Sequence, residues 1–134
     1  MIGLDTNVIA RLLLADDPAQ TKRAYKAIAQ AQAAGVTLVL SLAVVLELEW
    51  VLRSSAKMNK TEMLVVFRQL LESYDVQIEN ERVLEQALHG YENSSADFGE
   101  CLFWAQYRHM GCSAMMTFDA KAARMDGVEL VPDS

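Results

Sequence analysis

The chain has 134 residues, 52% of them hydrophobic, and a formal net charge of −6. That length suits one domain with one core, and so high an apolar content excludes a disordered chain. The acidic balance excludes the strongly basic surface of a non-specific DNA-binding protein, and the apolar runs at 36–45 and 128–131 fall short of the ~20 residues of a membrane span.

In chain order, residues 2–4 are a short strand candidate. Residues 7–14 read as a helix, because Val8 and Leu12, and Ile9 and Leu13, repeat at i,i+4. Asp17 is placed to cap a second helix with Pro18 in its first turn, and Gly35 marks its end. Residues 36–40 are β-branched and apolar, a buried strand. Ser41 caps a helix reaching about residue 55, with Leu42, Val45, Leu46 and Leu52 as its apolar stripe and Glu49 paired with Arg53 at its surface. Asn59 and Glu62 have the spacing of a capping box for a helix to about residue 74. A short strand at 76–78 and a helix at 81–91 follow, then a helix at 97–110 ended by Gly111. A strand at 114–117, a short helix at 120–125 and an edge strand at 128–131 complete the chain. Strands alternating with helices predict an α/β fold: a mainly parallel central β-sheet flanked by helices on both faces, in a single domain over 1–134.

The acids are distributed unevenly over these elements. Asp5, Asp97 and Asp119 each stand where a helix is about to begin, Asp5 and Asp119 directly behind a strand, and Glu47 stands inside a helix between Leu46 and Leu48. Each aspartate has an ordinary explanation as a helix cap, and Asp97 with Glu100 has the D-x-x-E spacing of a capping box. Glu47 falls near Val44, Trp50 and Val51, on or beside the apolar stripe, where an ionised carboxylate needs a cation, an arginine or an exit to solvent. Carboxyl ends of parallel strands line the crevice in which open α/β sheets bind ligands. Carboxylates converging there repel one another unless protons or cations lie between them, and hard cations such as Mg²⁺ and Mn²⁺ prefer oxygen ligands.

The blocks Ile2-Gly3-Leu4-Asp5-Thr6-Asn7-Val8, Glu47-Leu48-Glu49-Trp50-Val51-Leu52, Ala96-Asp97-Phe98-Gly99-Glu100 and Thr117-Phe118-Asp119 together resemble the PIN-domain ribonucleases, specifically the VapC-type toxins of toxin–antitoxin pairs. The resemblance spans nearly the whole chain and implies a three-layer PIN-like fold and a metal-dependent endoribonuclease. It implies that Asp5, Glu47, Asp97 and Asp119 form a catalytic acidic quartet holding Mg²⁺, for which Mn²⁺ can substitute. Thr6 and Asn7 would orient the first carboxylate, and Thr117 would hydrogen-bond inside the site. Glu100 stands where many relatives have aspartate, which leaves its reach open. Implied partners are an RNA substrate (tRNA the preferred class), a small antitoxin whose basic side chain covers the carboxylates, and a second copy in a homodimer. The helices at 42–53 and 61–71 are the candidates for binding the antitoxin.

Other chemistries find little support. His89 and His109 stand alone on helices, and there is no GxSxG, HExxH or phosphate-cradling glycine loop. Cys101 and Cys112 form no CxxC pair, which speaks against zinc and for a reducing compartment. The N-terminus lacks the basic segment of a signal peptide, so a cytoplasmic protein is expected. Met115, Met116 and Met125 are expected to fill core gaps. Trp50 and Trp104 have the means to stack a base, but burial is the plainer expectation. The clusters Lys22, Arg23, Lys26 and Arg53, Lys57, Lys60 read as solvated helix faces. The rival reading is a catalytically silent PIN-like module that binds RNA or protein. A receiver domain needs a paired acid just upstream of Asp5 and a lysine after a later strand, and a haloacid-type phosphatase needs Asp-x-Asp; neither pattern occurs, and Asn7 speaks against both.

Overall fold

In the computed structural model, which describes residues 1–133, the elements follow the predicted order. They are β1 (Ile2–Gly3), α1 (Thr6–Leu14), α2 (Pro18–Ala33), β2 (Leu38–Leu40), α3 (Leu42–Ser54), α4 (Lys60–Glu72), β3 (Val76–Ile78), α5 (Glu81–Glu92), α6 (Phe98–His109), β4 (Met115–Thr117) and β5 (Val128–Leu130). Every strand pair is parallel, so the chain is an α/β protein, as the alternation of strand and helix requires. One element changes type. The helix expected at 120–125 is a single 3₁₀ turn, Ala122–Arg124. The chain must return from β4 to β5 within ten residues, and it closes with short bonds from Arg124 N–H to Lys121 and from Met125 N–H to Ala122.

The chain forms two compact units, one over Met1–Glu79 and one from Asn80 on. The first unit is built on the three-stranded sheet β1-β2-β3. Leu38 and Leu40 of β2 are buried, as are Val76 and Ile78 of β3. To the core of this unit α3 contributes Leu42, Val45, Leu48 and Leu52, and α4, which packs on β3, contributes Met63, Leu64, Phe67 and Leu70. Each such side chain adds about 1.5–3 kcal/mol of transfer free energy relative to exposure. The helix starts agree with the sequence: Asp17 accepts from Gln20 N–H at 3.1 Å, Ser41 from Val44 N–H at 3.1 Å, and the Asn59–Glu62 capping box is complete.

The second unit pairs β4 with β5 and packs α5 on α6 through Val83, Leu84, Ala87, Leu88, Phe98, Leu102 and Ala105. Tyr91 meets Phe98 edge to face, with ring centroids 5.7 Å apart. Trp104 is buried; its indole N–H donates to the Asp126 carbonyl at 3.1 Å. Cys101 is buried and Cys112 exposed, both as free thiols. Of the methionines expected to fill gaps, Met115 is buried but Met116 faces solvent. No helix among the described residues is long and apolar enough to cross a membrane.

Helix α3 corrects three expectations. Its buried stripe runs through Leu42, Val45, Leu48, Glu49 and Leu52 rather than through Leu46. That register turns Glu49 inward, where it is only 4% exposed, and it is not the surface residue expected. Burial is tolerated because Arg53, one turn on and half exposed, donates from Nε to Glu49 Oε1 at 2.8 Å. An ionised carboxylate without that partner would carry a desolvation cost of several kcal/mol. The same register turns Trp50 outward, 58% exposed, against the expectation of burial.

Candidate active site

In the first unit, parallel pairing sets the carboxyl ends of β1, β2 and β3 at one edge of the sheet. Asp5 follows β1, Ser41 follows β2 and Glu79 follows β3. Asp5 caps α1, with Val8 N–H donating to its Oδ1 at 3.2 Å, and its side chain remains exposed. Thr6 is buried at the first turn of α1, whereas Asn7 is exposed. Glu47 takes the exit to solvent. It sits on the outward face of α3 with Trp50 one turn away.

Glu79 escaped the sequence reading. Its carboxylate accepts from Leu42 N–H at 2.8 Å, so α3 begins with two side-chain acceptors, Glu79 and Ser41. The signal was present, since Glu79 is an acid at a strand end like Asp5. Here the strand-end carboxylate is consumed in holding a helix N-terminus.

The second unit holds the other acids. Asp97 occupies the N-cap position of α6 but makes no side-chain capping bond. The D-x-x-E capping box is therefore not formed through Asp97, and its exposed carboxylate is uncommitted to the helix. Asp119 lies just beyond β4. Its N–H donates to Thr117 Oγ1 at 3.0 Å, and its Oδ1 accepts from Lys121 N–H at 2.8 Å. Thr117 thus fixes the turn that presents Asp119, while the second carboxylate oxygen of Asp119 takes no part in it.

Glu100, one helical turn past Asp97, is half-buried. Its carboxyl is pushed up from the ordinary range, first by burial and then by the negative charges of Asp119 and Asp97. These three carboxylates therefore feel one another. The fold favours the protonated form of Glu100, so this group withdraws stability as pH rises from the ordinary carboxylate range through its raised pKa. Glu100→Gln is expected to raise the melting temperature at pH 7 by about 1–2 °C, a surface-sized effect. The gain should vanish at a pH low enough to protonate the carboxyl in both states. A variant less stable than the native chain at pH 7 would show that Glu100 is held by favourable contacts instead.

An uncommitted Asp97, a half-engaged Asp119 and a strained Glu100 are all oxygen donors whose mutual repulsion a hard cation relieves. The donor chemistry fits a divalent metal. In neither unit, among the described residues, do three or more His, Cys, Asp or Glu side chains gather about one point able to hold a metal ion. His89 and His109 are exposed, each near an asparagine amide (Asn93 and Asn80), as surface histidines are.

No curated protein matches the chain. The family model described as the PIN domain matches residues 2–128, a span that takes in β1 through the start of β5 and all four acids Asp5, Glu47, Asp97 and Asp119. The chain belongs to the PIN domain family, whose members are generally metal-dependent nucleases.

Proposed function

We propose that the protein is an endoribonuclease that hydrolyses RNA phosphodiester bonds with a divalent metal, Mg²⁺ or Mn²⁺, and serves as the toxin of a toxin–antitoxin pair. The observation that carries this reading is Asp97: an aspartate at a helix start that does not cap the helix, and whose charge, with that of Asp119, adds to burial in pushing up the carboxyl of Glu100. A cap needs no such company, whereas a cation site does.

Asp5, Glu47, Asp97 and Asp119 are the acids that would hold the metal. When bound, a divalent cation neutralises phosphoryl oxygens and acidifies the attacking water. The chain's own residues supply the rest. Asp97 offers both carboxylate oxygens, since no N–H of α6 claims them. Thr117 Oγ1 holds the Asp119 N–H and so fixes the direction of that carboxylate. Thr6, buried in the first turn of α1, and the exposed Asn7 would orient the Asp5 carboxylate. Glu100 adds a third carboxyl to the second unit's acids, one that burial and then the charges of Asp119 and Asp97 push above the ordinary carboxylate range.

The partners belong to the same reading: an RNA substrate, with tRNA the preferred class, a small antitoxin, and a second copy in a homodimer. Trp50 of α3 and Val65 of α4 are exposed apolar side chains on the helices suited to an antitoxin. The test is cleavage of cellular RNA by the purified protein with Mg²⁺ or Mn²⁺, with excess EDTA, and beside Asp97→Asn. Discrete fragments that vanish in EDTA and fall by on the order of a hundredfold in the variant are expected. Unchanged cleavage by Asp97→Asn would remove the proposed role of that carboxylate. Full activity with the antitoxin still bound would sink the toxin part.

A further inference from the structure

A groove of about 360 Å³ opens beside Asp5 in the first unit, lined by Asn7 and Val8 of α1 and by Gln20, Arg23 and Ala24 of α2. Its polar groups are not evenly mixed. Arg11 donates from Nε to Gln20 Oε1 at 2.8 Å, and from a terminal nitrogen to Asp16 at 2.6 Å. Gln20 therefore has its acceptor engaged, and its amide N–H groups are the part left to offer. Arg23 brings a guanidinium, and among the described residues no ion pair or hydrogen bond holds it. Asn7 adds an exposed amide. Lys22 and Lys26 flank Arg23 on the same helix. An otherwise acidic chain thus places an unpaired fork of donors beside the carboxylate of Asp5.

We propose that this groove binds a backbone phosphate of the RNA strand neighbouring the one being cut, with Arg23 as its principal contact and Gln20 as a second donor. The proposal rests on the ribonuclease reading and adds to it a substrate-binding residue outside the acidic set. A guanidinium matches two phosphate oxygens at once, which a point charge does not. Phosphate contacts position a strand without reading its sequence. Arg23 therefore sets where the strand lies rather than which base is cut. The adjacent Asp5 repels a phosphate that arrives without a cation, so the groove and the metal favour the same strand.

The experiment compares native protein with Arg23→Ala and Arg23→Lys, using one labelled single-stranded 12-nucleotide RNA. Binding is read by fluorescence anisotropy in EDTA, where no cleavage occurs, and turnover is read with Mg²⁺. Arg23 is an exposed helix residue, so thermal melts of all three proteins should coincide. Arg23→Ala is expected to weaken binding and raise KM by about tenfold with kcat nearly unchanged. The slope of log Kd against log salt should fall by about 0.7, one phosphate contact on a single strand. Arg23→Lys should recover the salt slope but only part of the affinity. Equal binding by native and Arg23→Ala protein overturns the proposal while leaving the ribonuclease reading intact. Native protein that binds RNA but never cleaves it overturns the ribonuclease reading, and the binding arm still decides the role of Arg23. Native protein that neither binds RNA in EDTA nor cleaves it with Mg²⁺ overturns both. A poly-glutamate peptide lost from Arg23→Ala, with RNA binding unaffected, would assign the groove to an acidic peptide instead.

Discussion

Asp5→Asn should lower metal-dependent RNA cleavage by on the order of a hundredfold or more while leaving the melting temperature nearly unmoved. The two readouts separate because the metal-holding role proposed for Asp5 is distinct from its role as a cap. One oxygen caps α1 through Val8 N–H, and asparagine caps a helix about as well as aspartate. The substitution removes the charge but keeps that hydrogen bond. Asp5→Ala should lose cleavage to the same degree and also lose the cap, which costs about 1 kcal/mol. Cleavage assays beside thermal melts of both variants make the comparison. An Asp5→Asn protein with native activity would sink the role proposed for Asp5. An inactive one whose melting temperature fell as far as that of Asp5→Ala would mean that lost activity reports lost structure.

Gly127→Ala is expected to be the most destabilising single substitution discussed, at about 2–4 kcal/mol, or a fall in melting temperature of about 8–15 °C. Gly127 has φ +87°, in the left-handed region. A Cβ built there would stand 2.4 Å from Cζ2 of Trp104. That ring has little freedom to withdraw. It is buried, its N–H is held by the Asp126 carbonyl, and Arg108 lies 5.3 Å from the ring centroid. Gly127 also carries the carbonyl that accepts from Met115 N–H at 3.0 Å, so any shift of backbone disturbs the start of β4. Gly111 supplies the control, since its φ is +97° with nothing within 4 Å of an added Cβ. Gly111→Ala should cost only the conformational part, about 1 kcal/mol. Chemical denaturation of both variants isolates the collision with Trp104 as the difference between them. Equal losses would show that the ring moves freely.

The contrast between what the sequence disclosed and what it concealed follows physical range. Elements and caps are local. The i,i+4 pattern of α1, the Asp17-Pro18 start of α2 and the Asn59–Glu62 box depend on residues a turn apart, and all appear where the sequence puts them. The inward face of α3 is not local. Leu46 and Leu48 are equally apolar, and only packing in the first unit decides that Leu48 and Glu49 turn inward while Glu47 and Trp50 turn out. The Glu79 bond to Leu42 N–H spans 37 residues, and no periodicity announces it. The orientation of Gln20 by Arg11 is likewise a contact between two helices. At the candidate site the sequence supplied the identities of the acids. The structure separated Asp5, a working cap, from Asp97, which is none. It also removed Glu49 from the surface, so that a change there would test folding rather than activity.

The two thiols make the chain addressable without engineering. Cys101 is sheltered, with Met125 Sδ 3.9 Å from its sulfur, whereas Cys112 is exposed just past the turn that ends α6. A maleimide dye under native conditions should therefore attach at one atom per molecule. That atom lies beyond the C-terminal end of the helix that Asp97 begins, roughly 20 Å away along its axis. This is a useful span for energy transfer from a donor on an added RNA, so the proposed arrival of a strand near Asp97 can be tested on the native sequence.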